Sequence, residues 1–262
     1  MAYQSDLFIK QMDFVNNTAA SLITCKRANF LMTGSTISNN NFQDLLIDIN
    51  NVEQSVISNC TINNNINIRL GGTTTLIENG GSLLIKDTDF DGNSNLSYLL
   101  RNNGNMTIVR TSLTNNSIKN GQLVYGFFSI VSMTNCTLSN NMFVGSNIMR
   151  MTGSRLSLHD VVIGVNLGLA ISAPIVDCSK GHLAINNIKN HEGRDLVSCD
   201  EEYQCSLQGD HPDICRAGLS GGAIAGVVIG CIVGTALIVA VMSVVIRRRR
   251  RRSSSSSGHY KI

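Results

Sequence analysis

Asp87, Asp89 and Asp91 are the strongest chemistry-bearing cluster in the chain. On one extended strand, alternate residues share a face. An oxygen-rich set of this kind can hold Ca²⁺, and a carboxyl pair can act as acid and base on a glycosidic bond. Arg110 occupies the position of Asp87 one repeat later. Two such side chains would face each other across about 4.8 Å, so a cross-strand ion pair on a solvated face is the simpler expectation. His159 and Asp160 are sequence neighbours, and strand neighbours point to opposite faces. No Ser or Cys nucleophile aligns with them, and His159 reads as a surface residue. Cys178, Cys199, Cys205 and Cys215 lie late in the chain with His182, His191 and His211 nearby. They offer zinc donors, but no CxxC pair or closely spaced His pair is present. The even count points instead to two disulfides in an oxidising compartment. No catalytic residue, metal or cofactor is assigned.

These residues are carried by a repeat. MDFVNN, STISNNN, CTINNN, TDFDGN, TSLTNN, CTLSNN, VVIGVN and NNIKNH place an apolar anchor at Phe14, Ile37, Ile62, Phe90, Leu113, Leu138, Ile163 and Ile188. Three residues after the first seven anchors stand Asn17, Asn40, Asn65, Asn93, Asn116, Asn141 and Asn166, with His191 at the eighth. Two residues after the first six stand Asn16, Asn39, Asn64, Gly92, Asn115 and Asn140. Gly and Asn are the residues that tolerate left-handed backbone, so this column predicts a tight left-handed turn in each unit. The following Asn column can stack and hydrogen-bond to its copies in neighbouring units. Runs such as SLLIKDTDF and NMTIVRTSL alternate as strands do before each anchor. A unit of about 25 residues with short strands and no helix signal predicts one coil of a parallel β-helix. Cys60 and Cys136 share a column three coils apart, about 14 Å. That is too far for a disulfide, so they and Cys25 read as small buried residues.

The units resemble right-handed parallel β-helix repeats of the pectin-lyase-like kind, which carry an Asn ladder. Phe14-Val-Asn-Asn17 and Phe90-Asp-Gly-Asn93 also resemble the FxxN tetrapeptide of polymorphic membrane proteins. The companion glycine tetrapeptide is echoed only by Gly71-Gly72-Thr73 and Gly80-Gly81-Ser82. The resemblance implies an all-β solenoid over residues 1–190. The catalytic motifs of polygalacturonases (NTD, DD, GHG and RIK) are absent.

Charge and hydropathy organise the remainder. The chain holds 21 basic and 18 acidic residues, but Arg247–Ile262 holds seven of the basic ones and none of the acidic. The basic balance therefore belongs to a tail, and no nucleic-acid partner is expected. Residues 217–246 are free of charge, long enough for a transmembrane helix, and Cys231 lies among them. Arg247–Arg252 follow directly and place that side in the cytoplasm. The expected organisation is a β-helix ectodomain at 1–190, a Cys-containing stalk at 191–216, the span at 217–246 and a Ser-rich basic tail at 247–262. MAYQSDLFIKQMDF holds no apolar leader core, so a start upstream of Met1 is expected. Six N-x-S/T sequons, at Asn16, Asn59, Asn95, Asn105, Asn115 and Asn135, agree with an exterior location. Gly222, Gly226, Gly230 and Gly234 line one helix face and suit a homodimer within the membrane. The leading functional expectation is a non-enzymatic, single-pass cell-surface protein that contacts a glycan or a surface protein. A membrane-anchored polysaccharide lyase or hydrolase is the alternative.

Overall fold

The computed structural model describes residues 6–50, 53–69, 71–169, 173–197 and 205–209, with backbone alone at 2–3 and 198–199. Among these residues every regular element is a β-strand, and every strand pair is parallel. The strands form three sheets that run the length of a parallel β-helix. Sheet B begins with Leu7–Lys10, sheet C with Asp13–Val15, and sheet A continues with Thr18–Lys26. One coil visits B, C and A in that order, then starts again.

Local sequence explains each strand. Asn105–Val109 alternates, with Met106 and Ile108 buried and Asn105 and Thr107 outside. Each such side chain contributes roughly 1.5–3 kcal/mol on burial. The anchors Phe14, Ile37, Ile62, Phe90, Leu113, Leu138 and Ile163 pair in unbroken register along sheet C. The eighth differs from expectation. Ile163 pairs with Asn190, so Ile188 is not the anchor and His191 is not a ladder position. A longer last coil displaced the repeat, and spacing alone could not register that.

Corners close each coil. Asn16, Asn39, Asn64, Gly92, Asn115 and Asn140 all have φ between +54° and +66° at the corner from sheet C to sheet A. A second left-handed column, Gln11, Gly34, Asn59, Asp87, Arg110, Asn135 and Asp160, makes the corner from B to C. Inside that corner Ser35, Thr88 and Thr111 each donate a hydroxyl to the carbonyl two residues earlier. Cys60 and Cys136 do the same with their thiols, at 3.2 and 3.3 Å. Cys25, Cys60 and Cys136 are free and buried, and burial is the leading cause that raises all three thiol pKa values.

Asn40, Asn65, Asn93, Asn116, Asn141 and Asn166 are buried, whereas Asn17 is exposed. Each carboxamide from Asn17 to Asn141 donates to the Oδ1 of the next at 2.9–3.1 Å. From Asn40 onward it also donates to the anchor carbonyl of the coil before, at 2.8 Å for Phe14 O. At the far end Asn166 donates to Glu192 Oε1. A second, shorter ladder joins Asn79 Nδ2 to Asn102 Oδ1 at 2.7 Å in sheet A.

Pairing continues past residue 190. Val197–Cys199 adds to sheet A and Ser206–Gly209 to sheet B, so the segment expected as a stalk contributes strands. Cys178 and Cys205 form a disulfide there. Cys178 also pairs in sheet register with Cys199. Cys215, His211, Cys231, Gly222, Gly226, Gly230, Gly234 and the expected span at 217–246 lie outside the described residues.

Candidate functional site

Sheet B sets its outward side chains in three columns. The first is Ser82, Asn105, Ile130, Arg155, His182 and Ser206. The second is Phe8, Leu31, Val56, Leu84, Thr107, Ser132, Ser157, Ala184 and Gln208. The third is Lys10, Thr33, Ser58, Lys86, Val109, Thr134, His159 and Asn186. Over the last coils the middle column shrinks to Ser132, Ser157 and Ala184, and larger residues flank it. A column of small side chains between larger ones is a groove. It measures about 400 Å³ and is lined by Ile130, Arg155 and His182 on one side.

The electrostatics of this face are one-sided. The nine strands of sheet B carry Lys10, Lys86, Arg155, His159 and His182 and not one Asp or Glu. Sheet A, by contrast, interleaves its charges as pairs: Lys26–Asp48, Arg101–Glu78 and Arg150–Asp177, each at 3.5–3.6 Å. Among the described residues Arg155 has no carboxylate within salt-bridge reach. His182 Nδ1 shares a hydrogen bond with Ser206 Oγ across the groove wall. A second hollow of about 430 Å³ adjoins the groove at the corner from sheet A and shares Ile130, Arg155 and His182 with it.

The aspartates singled out from sequence do not form one set. Asp87 sits at φ +50° in the corner, while Asp89 and Asp91 lie in sheet C. A corner residue leaves the strand alternation, so the three do not share a face. Arg110 Nε and Nη2 donate to Asp87 Oδ1 and Oδ2 at 2.6 and 2.8 Å, a two-pronged pair between adjacent coils. That hydrogen bonding, more than plain charge attraction, holds the Asp87 carboxyl below the usual range and raises Arg110. Asp91 accepts from Thr114 Oγ1 at 3.0 Å and Asn115 Nδ2 at 2.6 Å. Among the described residues no three His, Cys, Asp or Glu side chains come together as metal ligands. His159 Nε2 lies 3.0 Å from Asp160 Oδ2. The expectation of opposite faces fails because Asp160 is a left-handed corner residue that turns back onto the strand end. All six sequon asparagines, Asn16, Asn59, Asn95, Asn105, Asn115 and Asn135, are exposed.

Arg155, His182, Ile130 and Phe128 escape a reading centred on the anchors, because their strands precede the anchor and their partners lie a whole coil away. One signal was legible: the runs SLLIK, NMTIV, IVSMT, RLSLH and HLAIN contain no acid.

With this architecture in place, the family is evident. Residues 1–160 match the family model described as "Right handed beta helix region". The chain belongs to that family. No curated protein matches it. Among solved structures it is similar to a trypsin-treated variant of QnrB1, a plasmid-mediated fluoroquinolone resistance protein, at 12% identity over 71% of this chain and 92% of that one, with a TM-score of 0.22. It is similar also to HetL, a pentapeptide repeat protein involved in heterocyst differentiation regulation in the cyanobacterium Nostoc, at 10% identity over 77% of this chain and 91% of that one, with a TM-score of 0.21.

Proposed function

We propose that this β-helix is a non-catalytic binding scaffold on a cell surface, and that sheet B is the face it presents to an extended glycan. The acid-free outer face of that sheet, grooved and walled by Arg155 and His182, carries the reading. Strands stack every ~4.8 Å along the axis, so a groove parallel to the axis offers regular contacts to an extended chain. Arg155 has no carboxylate in salt-bridge reach among the described residues, and such a charge raises the local concentration of a ligand of opposite sign.

The alternative, a polysaccharide-active enzyme working through paired carboxyls, draws no support from the same face. Glycoside hydrolysis by the usual route needs two carboxyls flanking the bond. The groove strands hold none, and Asp87 is committed to Arg110. The anchoring part of the proposal rests on sequence. The uncharged run at 217–246 crosses the membrane once, Arg247–Arg252 hold the tail in the cytoplasm, and the β-helix with its sequons faces the exterior or lumen. Pairing of two copies along Gly222, Gly226, Gly230 and Gly234 would double the scaffold and add avidity.

The deciding experiment presents the full chain in nanodiscs with a panel of neutral and acidic glycans, and reads both retention and turnover. Retention without turnover is expected. Turnover abolished by Asp87→Asn or Asp89→Asn would replace the scaffold by the enzyme.

A further inference from the structure

The ladder asparagines from Asn17 to Asn166 stand 23 or 25 residues apart, except that Asn65 and Asn93 are separated by 28. Register places the surplus. Thr75 pairs with Leu45 and Tyr98 in sheet A. Those partners stand five residues beyond Asn40 and Asn93, whereas Thr75 stands ten beyond Asn65. Five extra residues therefore enter the coil between Ile66–Asn67 and Thr75–Asn79. Arg69, Gly71, Gly72, Thr73 and Thr74 lie in this insertion. Loops held on a rigid scaffold are where binding residues concentrate.

Two coils further on the chain is irregular at the same place. Leu96 pairs with Ile118 and Tyr98 with Gln122, so Ser97 alone faces Lys119, Asn120 and Gly121. This is a β-bulge, a feature that re-aims side chains and gathers beside functional sites. A Cβ at Gly121 would lie 1.8 Å from Ser97 O, so only glycine lets the two backbones approach there. Asn120 takes a left-handed φ of +56°, and Lys119 and Asn120 are both exposed. Between the insertion and the bulge, Thr74 N donates to Ser97 Oγ at 3.3 Å and Ser97 N to Thr74 Oγ1 at 2.9 Å, which ties the loop to the next coil. Together they border a hollow of about 340 Å³ that has no acid in its lining and shares no residue with the sheet B groove.

The cations at this hollow keep their donors unspent. Arg69 Nη1 donates to Asp44 Oδ1 at 2.7 Å, which fixes the guanidinium. Gly72 has φ +88°, and a Cβ there would lie 3.4 Å from Arg69 Cζ and Nε, so the glycine leaves room for the guanidinium against the loop. Among the described residues neither the Nε–Nη2 edge of Arg69 nor the Nζ of Lys119 meets an acceptor. From this arrangement we infer that the hollow binds the phosphate group of a small phosphate monoester, gripped by Arg69 and neutralised by Lys119. The free guanidinium edge matches two phosphate oxygens with parallel hydrogen bonds, and the ammonium adds a compact point charge. A phosphate monoester carries close to two negative charges near neutrality, which suits two cations. Leu96 is the one large apolar residue in the lining and it is fully buried, so the hollow offers no surface to an acyl chain. A soluble ester therefore fits it better than a lipid headgroup. The site goes beyond the glycan face of sheet B and stands independently of it.

The test uses the full chain in nanodiscs of zwitterionic lipid, made in a host that adds no N-glycans because the sequon residue Asn95 lines the hollow. Calorimetric titration with glycerol 3-phosphate should give a dissociation constant below about 1 mM. Arg69→Lys keeps the charge but loses the two-pronged edge, and should weaken binding roughly tenfold. Lys119→Ala should weaken it roughly tenfold as well. Lys189→Ala, which removes an equal charge from sheet C, should bind as wild type does. Gly72→Ala, which displaces the guanidinium, should mimic Arg69→Lys. Arg69, Lys119 and Lys189 are exposed, so their unfolding midpoints should stay level, and binding lost from an intact fold separates the grip from a structural role. If glycerol 3-phosphate does not bind, or binds Arg69→Lys and Lys119→Ala as it binds wild type, the site is wrong. Malonate, a dianion with planar carboxylates, should bind roughly tenfold more weakly. Equal affinity for malonate would replace phosphate recognition by plain charge attraction and overturn the assignment. Dihexanoyl phosphatidic acid carries the same monoester on a lipid. If it binds roughly tenfold more tightly than glycerol 3-phosphate, the ligand is a membrane headgroup and the small-ester assignment falls.

Discussion

Substituting Asn116 by Ala interrupts the buried ladder at its centre. The Asn116 Oδ1 accepts both the backbone N–H and the Nδ2 of Asn93, at 3.1 and 3.0 Å. Its own Nδ2 donates to Phe90 O at 3.0 Å and Asn141 Oδ1 at 3.1 Å. Both ladder neighbours are fully buried, so no water replaces the lost partners. Two orphaned donors at about 1–3 kcal/mol each, less partial relaxation and with the lost donations added, give about 3–5 kcal/mol. With a urea slope of about 2 kcal/mol/M, the midpoint falls by about 1.5–2.5 M. The chain has no Trp, so far-UV circular dichroism on the full chain is the suitable signal. A solenoid couples only neighbouring coils, so a two-step transition is an acceptable form of the same result. The control is Asn115→Gly, next door but exposed at φ +54°, which should stay within about 0.5 kcal/mol of wild type. A midpoint for Asn116→Ala indistinguishable from that of Asn115→Gly would refute the claim that the buried carboxamides hold adjacent coils together.

Three further outcomes follow from geometry already described. The Cys178–Cys205 bridge closes a loop of 27 residues, worth about 3.5 kcal/mol in the chain-entropy account; reductant should lower the midpoint of wild type and leave Cys178→Ser with Cys205→Ser unmoved. Cys136→Thr should cost under about 1 kcal/mol, because Thr88 and Thr111 fill the same column with the same bond; Cys25, Cys60 and Cys136 should resist a thiol reagent until urea is added, and rapid labelling in buffer would contradict their burial. Because the folded Asp87 carboxyl titrates below its unfolded value, its pair with Arg110 contributes fully above the unfolded carboxylate range and is lost as pH falls through the lower folded value. Asp87→Asn should therefore lower stability near neutrality, flatten the acid limb of stability against pH, and converge with wild type at low pH.

The one-dimensional period was enough to determine the coil, because a parallel β-helix repeats every interaction along its axis. Residues at one position of each unit must stack, so the Asn column after the anchors is visible in the letters alone. The left-handed corners at Asn16, Asn39, Asn64, Gly92, Asn115 and Asn140 are equally local, a matter of which residues tolerate positive φ. The buried column holding Cys60 and Cys136 follows from the same counting. What tertiary structure decided begins where the period breaks or where meaning lies across coils. The eighth coil is longer, so Ile163 meets Asn190 and not Ile188. Corners remove residues from strand alternation, which separates Asp87 from Asp89 and brings Asp160 back to His159. Ile130, Arg155 and His182 become neighbours only through parallel register, one coil apart each time. Sequence separation hides that adjacency, and only the stacking of coils turns three scattered residues into one wall of a groove.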